Sequence, residues 1–240
     1  QYFSLRSGGS MTQDNQDFNI AYVGNREDVL RIIPENVRKV LDVGCSIGKL
    51  GEQLKRRFKS EVVGIEIDEK MAEVAKEKLD KVIVGDLDEI SLKEYLAPNY
   101  FDCIIFADIL EHLKDPWKVL KDTTAFLNSD GIVVASIPNV RHYTTIINLL
   151  FLGRWPYRER GLHDKMHLRF FTLEGINELF HGANLEIIQL KRNFRIIERP
   201  HVFNNRFAKY FRFTPLRELF VFQYLAVAKK QKKMEEKQEI

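Results

Sequence analysis

The chain has 240 residues, 45% of them hydrophobic and 30% charged, the composition of a soluble globular fold with room for one domain and a sizeable core. Its 37 basic and 34 acidic side chains leave a net charge of +3, too balanced to argue for a nucleic-acid partner. No apolar run approaches the roughly 20 residues of a bilayer span, no basic–apolar–small leader pattern occurs, and the two cysteines, Cys45 and Cys103, sit in apolar patterns that suggest no disulfide framework and fit a reducing, cytoplasmic setting.

In chain order, residues 1–24 read as an N-terminal extension; residues 1–10, ahead of Met11, carry no functional weight. A short helical segment over 25–33 opens a domain that runs to residue 229. Residues 40–43 read as a buried strand. Ile47, Leu50, Leu54 and Phe58 then fall on one helix face. A second strand covers 61–67, and Asp68 caps a helix whose inner face is Met71, Val74, Ala75 and Leu79. Strands follow at 81–85 and 101–107. Asp115-Pro116 reads as a cap and first turn of a helix lined by Trp117, Leu120 and Leu127. A turn at 128–131 leads into a strand at 132–137. Apolar strand-like runs alternating with helical periodicity favour an α/β sheet with parallel strands.

After Pro138 the pattern loosens. Residues 139–171 read as a lid insertion. A helix over 172–181 ends at Gly182, and strands are expected at 185–190 and 219–228. Between them, 199–217 is basic and aromatic and reads as a second lid segment. Residues 230–240 form a charged tail.

The sharpest local signal is the run from Val40 through Asp42, Gly44, Cys45 and Ser46 to Gly48: a strand, a glycine-bearing turn and a helix start. Such a turn lets backbone pass close to a ligand and offers free N–H groups. Glu66 ends the next strand, where a carboxylate can accept from two ribose hydroxyls. Asp68 beside it reads as structural. Asp86, after the third strand, can accept from an adenine amino group.

These residues resemble the class I S-adenosylmethionine-dependent methyltransferases, whose first motif is acid-x-Gly-x-Gly-x-Gly; Ser46 stands where the middle glycine is usual. Asp108-Ile109-Leu110-Glu111-His112, with Asp115-Pro116 after it, is similar to the branch that includes ubiquinone-pathway O-methyltransferases. The resemblance implies a Rossmann-like, seven-stranded, mostly parallel sheet with the last strand antiparallel, and S-adenosyl-L-methionine as cofactor, leaving as S-adenosyl-L-homocysteine. It implies that Gly44, Cys45, Ser46 and Gly48 approach the cofactor's amino acid part through backbone. Asp42 steadies the loop or the cofactor's ammonium, Glu66 and its neighbour Ile67 hold the ribose, Asp86 and Leu87 flank adenine, and Asp108 lies near the methionine end.

Gly44-Cys45-Ser46-Ile47-Gly48 also reads as Gly-x-Ser-x-Gly, the nucleophile elbow of α/β-hydrolases with Ser46 as nucleophile, but no glycine-rich oxyanion loop precedes it. A nicotinamide-binding domain would want Gly-x-Gly-x-x-Gly, which the spacing from Gly44 lacks.

Transfer to an oxygen or nitrogen often needs a proton acceptor, and imidazole suits that near neutral pH. His112, His142, His163 and His167 are the candidates, with His201 a weaker one. No set of Cys, His and acidic residues has metal-ligand spacing in the sequence; His163-x-x-x-His167 lacks the acid of a zinc motif. Residues 136–143 and 168–172 look like a bacterial and archaeal group linked with glycan and small-metabolite pathways, which implies a small hydroxyl-bearing acceptor such as a sugar. An RNA or lipid-linked acceptor and a non-catalytic cofactor binder are the alternatives. Arg206, Lys209 and Arg212 among the aromatics of 203–213 allow peripheral membrane contact, or a lid helix packed on the sheet.

Overall fold

The computed structural model describes residues 24–195 and 216–231. The segment 203–213, His201 and most of the tail lie outside these residues. Seven strands form one sheet in the order β3-β2-β1-β4-β5-β7-β6. They are β1 (Lys39–Val43), β2 (Glu61–Glu66), β3 (Lys81–Val84), β4 (Phe101–Ala107), β5 (Leu127–Pro138), β6 (Leu185–Phe194) and β7 (Val221–Lys230). The pairings β1–β2, β1–β4, β2–β3 and β4–β5 are parallel; β7 runs antiparallel to both β5 and β6. The expected sheet, with its reversed last strand, is the one observed.

The strands read as near-continuous apolar runs because both sheet faces are covered. Leu41 and Val43, Ile104 and Phe106, and Val133 and Ala135 point into one core layer. That layer holds Val119 and Leu120 of α4 (Pro116–Thr123) and Ile176, Leu179 and Phe180 of α6 (Leu173–Gly182). Val40, Cys103, Ile105 and Val134 point to the other face, onto Val29 and Leu30 of α1 (Glu27–Leu30), Leu50 and Leu54 of α2 (Lys49–Phe58) and Ala75 of α3 (Glu69–Lys76). The alternation is the period-two projection of strand side chains.

Three helix caps are oxygen acceptors set by short-range chemistry: Asp68 accepts from Met71 N–H, Asp115 from Lys118 N–H and Thr172 from Gly175 N–H. Each satisfies a backbone donor that the first helical turn leaves unpaired.

Several local expectations need correction. Residues 128–131 do not break the chain but lie within β5. Phe101 pairs Leu127 and Cys103 pairs Ile132, so a large bulge absorbs the turn-forming residues, with Asn128 Nδ2 donating to Asp102 at 2.7 Å. Trp117 is 49% exposed, and Val119 takes the inner position with Leu120, because residue 117 sits off the buried arc of α4; Leu127 belongs to β5. In α3, Ala72 is fully buried where Val74 is only partly so. Gly182 is the last helical residue; Asn184, at φ 56°, makes the left-handed turn that reverses the chain into β6. Between β5 and α6, the chain forms α5 (Tyr143–Ile146), a π-helical turn at Ile147–Phe151, and an irregular segment that returns to pair Asn139 with Phe171. No helix among the described residues is long and apolar enough to cross a membrane.

Candidate active site

β1 and β4 are neighbours at the point where strand order reverses, and the region beyond the carboxyl ends of the strands there is the usual ligand position of such sheets. The turn between β1 and α2 lies at this point. Gly44, Ser46 and Gly48 have φ of 72°, 50° and 76°, so left-handed residues alternate through the turn. The N–H groups of Gly44 and Cys45 both donate to the Ile65 carbonyl, at 2.8 and 3.0 Å. Ser46 N–H donates to Glu66 Oε2 at 2.7 Å, while Ile67 and Asp68 N–H donate to Glu66 Oε1 at 3.0 Å each. Glu66 thus ties the end of β2 to the glycine turn.

Serine at the usual glycine position pays for its positive φ with steric crowding of about 1–2 kcal/mol, part of which glycine returns as unfolded-chain entropy. Ser46→Gly is therefore expected to hold or raise stability by up to about 1 kcal/mol and to leave S-adenosylhomocysteine affinity unchanged. Thermal unfolding and calorimetry of the purified variant check both.

Asp42 is 2% exposed, and its Oδ2 has no hydrogen-bond partner among the described residues. Burial, and then the nearby Glu66 charge, push its carboxyl up to about 7, against the pull of Arg26. An unsatisfied buried acceptor of this kind is costly, and a cationic ligand group such as an ammonium would satisfy it. Cys45 offers the site only its backbone: its side chain is in the core against Gly64, and burial pushes its thiol up. Asp86 Oδ1 accepts from Asp88 N–H at 2.9 Å, its Oδ2 lies 3.7 Å from Lys114 Nζ, and Leu87 packs part-buried against the core. Ile67 is 63% exposed at the mouth.

Asp108 follows β4 in a left-handed conformation, φ 58°. Its Oδ2 accepts from Arg26 Nη1 at 2.6 Å, and its Oδ1 accepts from Ser136 Oγ at 2.8 Å and Gln223 Nε2 at 2.5 Å. Arg26 also pairs Asp28 at 3.1 Å and donates to Ser136 Oγ at 2.8 Å. Burial opposes the charge of Arg26, but Asp108 and Asp28 more than offset it and hold its guanidinium firmly protonated. Sequence reasoning missed Arg26, Ser136 and Gln223. Arg26 is 82 positions from Asp108 and Gln223 is 115, and nothing local marks any of them.

The four histidine candidates separate into two pairs. His142 is fully buried; its Nδ1 accepts from Thr144 N–H as the α5 cap and its Nε2 donates to the Arg195 carbonyl at 2.8 Å. Burial brings its pKa down to about 4. Both ring nitrogens of this candidate are committed, to the α5 cap and to the Arg195 carbonyl. His163 is also fully buried, 3.2 Å from Thr145 Oγ1 and edge-on to Trp155. His112 and His167, by contrast, meet edge to face beside the end of β4, with ring centroids 4.7 Å apart. His112 Nδ1 lies 3.2 Å from the Met166 carbonyl. The strand-like segment carrying His167 is docked there by Leu168 and Arg169 N–H, which both donate to the Glu111 carbonyl at 2.8 and 2.9 Å. The Arg169 side chain reaches the Lys114 carbonyl.

A sheet of this order and reversed last strand, with an acid and glycine turn after β1, an acid ending β2 and acids after β3 and β4, defines a class I methyltransferase-type domain. Comparison with known proteins agrees. A family model described as a methyltransferase domain matches residues 20–190; the chain belongs to this family. A ubiquinone biosynthesis O-methyltransferase of Neisseria meningitidis serogroup A is 29% identical over 160 residues, covering 64% of this chain and 66% of the relative, just under two thirds of its length. The corresponding protein of Nitrosomonas europaea is 32% identical over 105 residues, covering 42% of this chain and 44% of its own. Among solved structures, a SAM-dependent methyltransferase from Archaeoglobus fulgidus superposes with a TM-score of 0.61 at 22% identity, covering 88% of this chain and 97% of that one. A possible histamine N-methyltransferase from Thermotoga maritima gives 0.59 at 18% identity, covering 88% and 90%. S-adenosylmethionine is the cofactor of this class, and the residues present fit it: the unsatisfied Asp42 carboxylate for the ammonium, the glycine turn for close backbone approach, and Glu66 for the ribose.

Proposed function

We propose that the chain transfers a methyl group from S-adenosylmethionine to an oxygen of a small hydroxyl-bearing acceptor, such as a sugar or another metabolite. The observation that carries this reading is that Asp42, the 44–48 turn, Glu66, Asp86 and Asp108 all stand at or just after the carboxyl ends of the neighbouring parallel strands β1, β2, β3 and β4. The oxygen preference is supported by the curated relatives, which are named O-methyltransferases. When bound, the cofactor supplies an electrophilic sulfonium methyl group. The protein's part is to orient the acceptor and exclude water.

The segment 139–171 is the lid on the acceptor side, held down at Glu111 and at Asn139. Its outward turn presents Leu150 and Phe151, 72% and 73% exposed, as apolar surface. His112 and His167 are the imidazoles that face the acceptor; His142 and His163 hold the lid's base.

The test is calorimetric titration with S-adenosylhomocysteine, with NADH as control, followed by transfer of labelled methyl to a panel of hydroxyl, amine and RNA acceptors. Binding of S-adenosylhomocysteine alone, with label on a hydroxyl acceptor, is expected. Glu66→Ala is expected to weaken that binding by about 1–3 kcal/mol, roughly 5- to 150-fold, through loss of charge-assisted hydrogen bonds. A folded Glu66→Ala protein with wild-type affinity would overturn the ribose assignment.

A further inference from the structure

Glu111 is 1% exposed, and its Oε2 has no hydrogen-bond partner among the described residues. A carboxylate oxygen in that position is expensive unless something positive meets it. The charged groups near it are Asp108, Arg26 and Asp164, and two imidazoles lie beside it. His167 Nε2 lies 4.0 Å from Glu111 Oε1, and one ligand atom from each of Glu111, His112 and His167 lies within 4.8 Å of the others. The three come from two segments: Glu111 and His112 from the 3-10 turn after β4, and His167 from the docked segment that returns toward α6.

We infer that Glu111, His112 and His167 form a divalent metal site that fastens the 162–169 segment to the end of β4, and that it takes a borderline ion such as zinc, cobalt or iron(II). Two imidazoles and one carboxylate are the donor set such ions prefer; magnesium and calcium favour all-oxygen sets. Asp108 is outside the set, because Arg26, Ser136 and Gln223 already occupy its oxygens. The backbone around the donors is ordered by hydrogen bonds that do not involve them: Leu168 and Arg169 N–H to the Glu111 carbonyl. The His112 ring is oriented by the Met166 carbonyl, the outer-shell contact that metal-binding histidines make. Bond lengths of about 2.0–2.2 Å require the donors to draw in by about 1 Å, a rotamer adjustment. Three protein donors leave at least one position for water or an acceptor oxygen. The site rests on the acceptor side proposed above.

The experiment is a cobalt(II) titration of the chelator-treated full chain, read by visible absorption and by metal analysis after desalting, with S-adenosylhomocysteine affinity measured on the same metal-free samples. One equivalent of cobalt, with absorption typical of a site with nitrogen donors and displaced by zinc, is expected. Glu111→Gln, which is isosteric, and His167→Ala should each weaken cobalt binding at least tenfold; the surface variant His181→Ala should keep it within about twofold. No saturable cobalt binding by the wild type, or unchanged affinity in both Glu111→Gln and His167→Ala, overturns the site. Binding of S-adenosylhomocysteine without metal separates that failure from a failure of the methyltransferase reading.

Discussion

Gly44→Ala is expected to abolish measurable S-adenosylhomocysteine binding, a loss of at least 100-fold, and to lower the unfolding temperature markedly. Gly44 has φ 72°, which costs an L-residue about 1–2 kcal/mol. A Cβ there would also fall within the Ile109 side chain. The turn cannot retreat from that contact, because Gly44 and Cys45 N–H are both bonded to the Ile65 carbonyl. The Ile109 side chain must move instead. Overpacking of this kind adds about 1–3 kcal/mol. Pairing Gly44→Ala with Ile109→Ala should relieve the contact but not the backbone strain, so binding and stability should recover only in part. Denaturant unfolding and calorimetry on both proteins check this; a single variant with wild-type stability and affinity would remove the turn from the cofactor site.

The second large effect is a pH dependence centred on Asp42. Its carboxyl is pushed up to about 7 by burial and by Glu66, whereas an unfolded chain ionises near 3.9. An acid whose folded pKa is raised favours the fold in its protonated form. The contribution is full below about pH 4 and is lost as pH rises through about 7, by up to about 4 kcal/mol in the cofactor-free protein. Asp42→Asn cannot ionise, so it should be more stable than the wild type at pH 8 and no more stable at pH 4. Cofactor binding should show the opposite sign. An ammonium favours the ionised carboxylate, so wild-type affinity for S-adenosylhomocysteine should rise between pH 6 and 8. Asp42→Asn should lose that rise. Parallel thermal and calorimetric pH series would show it, and equal pH profiles for the two proteins would contradict it. A group kept at a cost to the fold and used by the ligand is a familiar trade between stability and function.

Much of the site was legible because it depends on short spacings. The acid and glycines from Asp42 to Gly48, and Glu66 at the end of the next strand, mark strand ends, and parallel strands deliver their carboxyl ends to one edge whatever the details of packing. The caps Asp68 and Asp115 were legible for the same reason, since each acts within three residues. The apolar runs determined a sheet buried on both faces, and the resemblance supplied its seven strands and the reversed last one.

Tertiary structure alone decided what meets across the fold. Arg26 reaches Asp108 because α1 packs on the sheet beside the ends of β4 and β5. The sequence offered four comparable histidines, and only folding buried His142 and His163 in holding roles while it brought His112 against His167. The grouping of those two with Glu111 spans two segments far apart in the chain, so no spacing along it could announce it. Trp117 shows the same limit on a smaller scale: an aromatic one position off the buried arc of α4 is exposed, and composition cannot place that arc. Local periodicity states which residues share a face. Which faces and strand ends then meet is set by how the elements pack, and that carries no local signature.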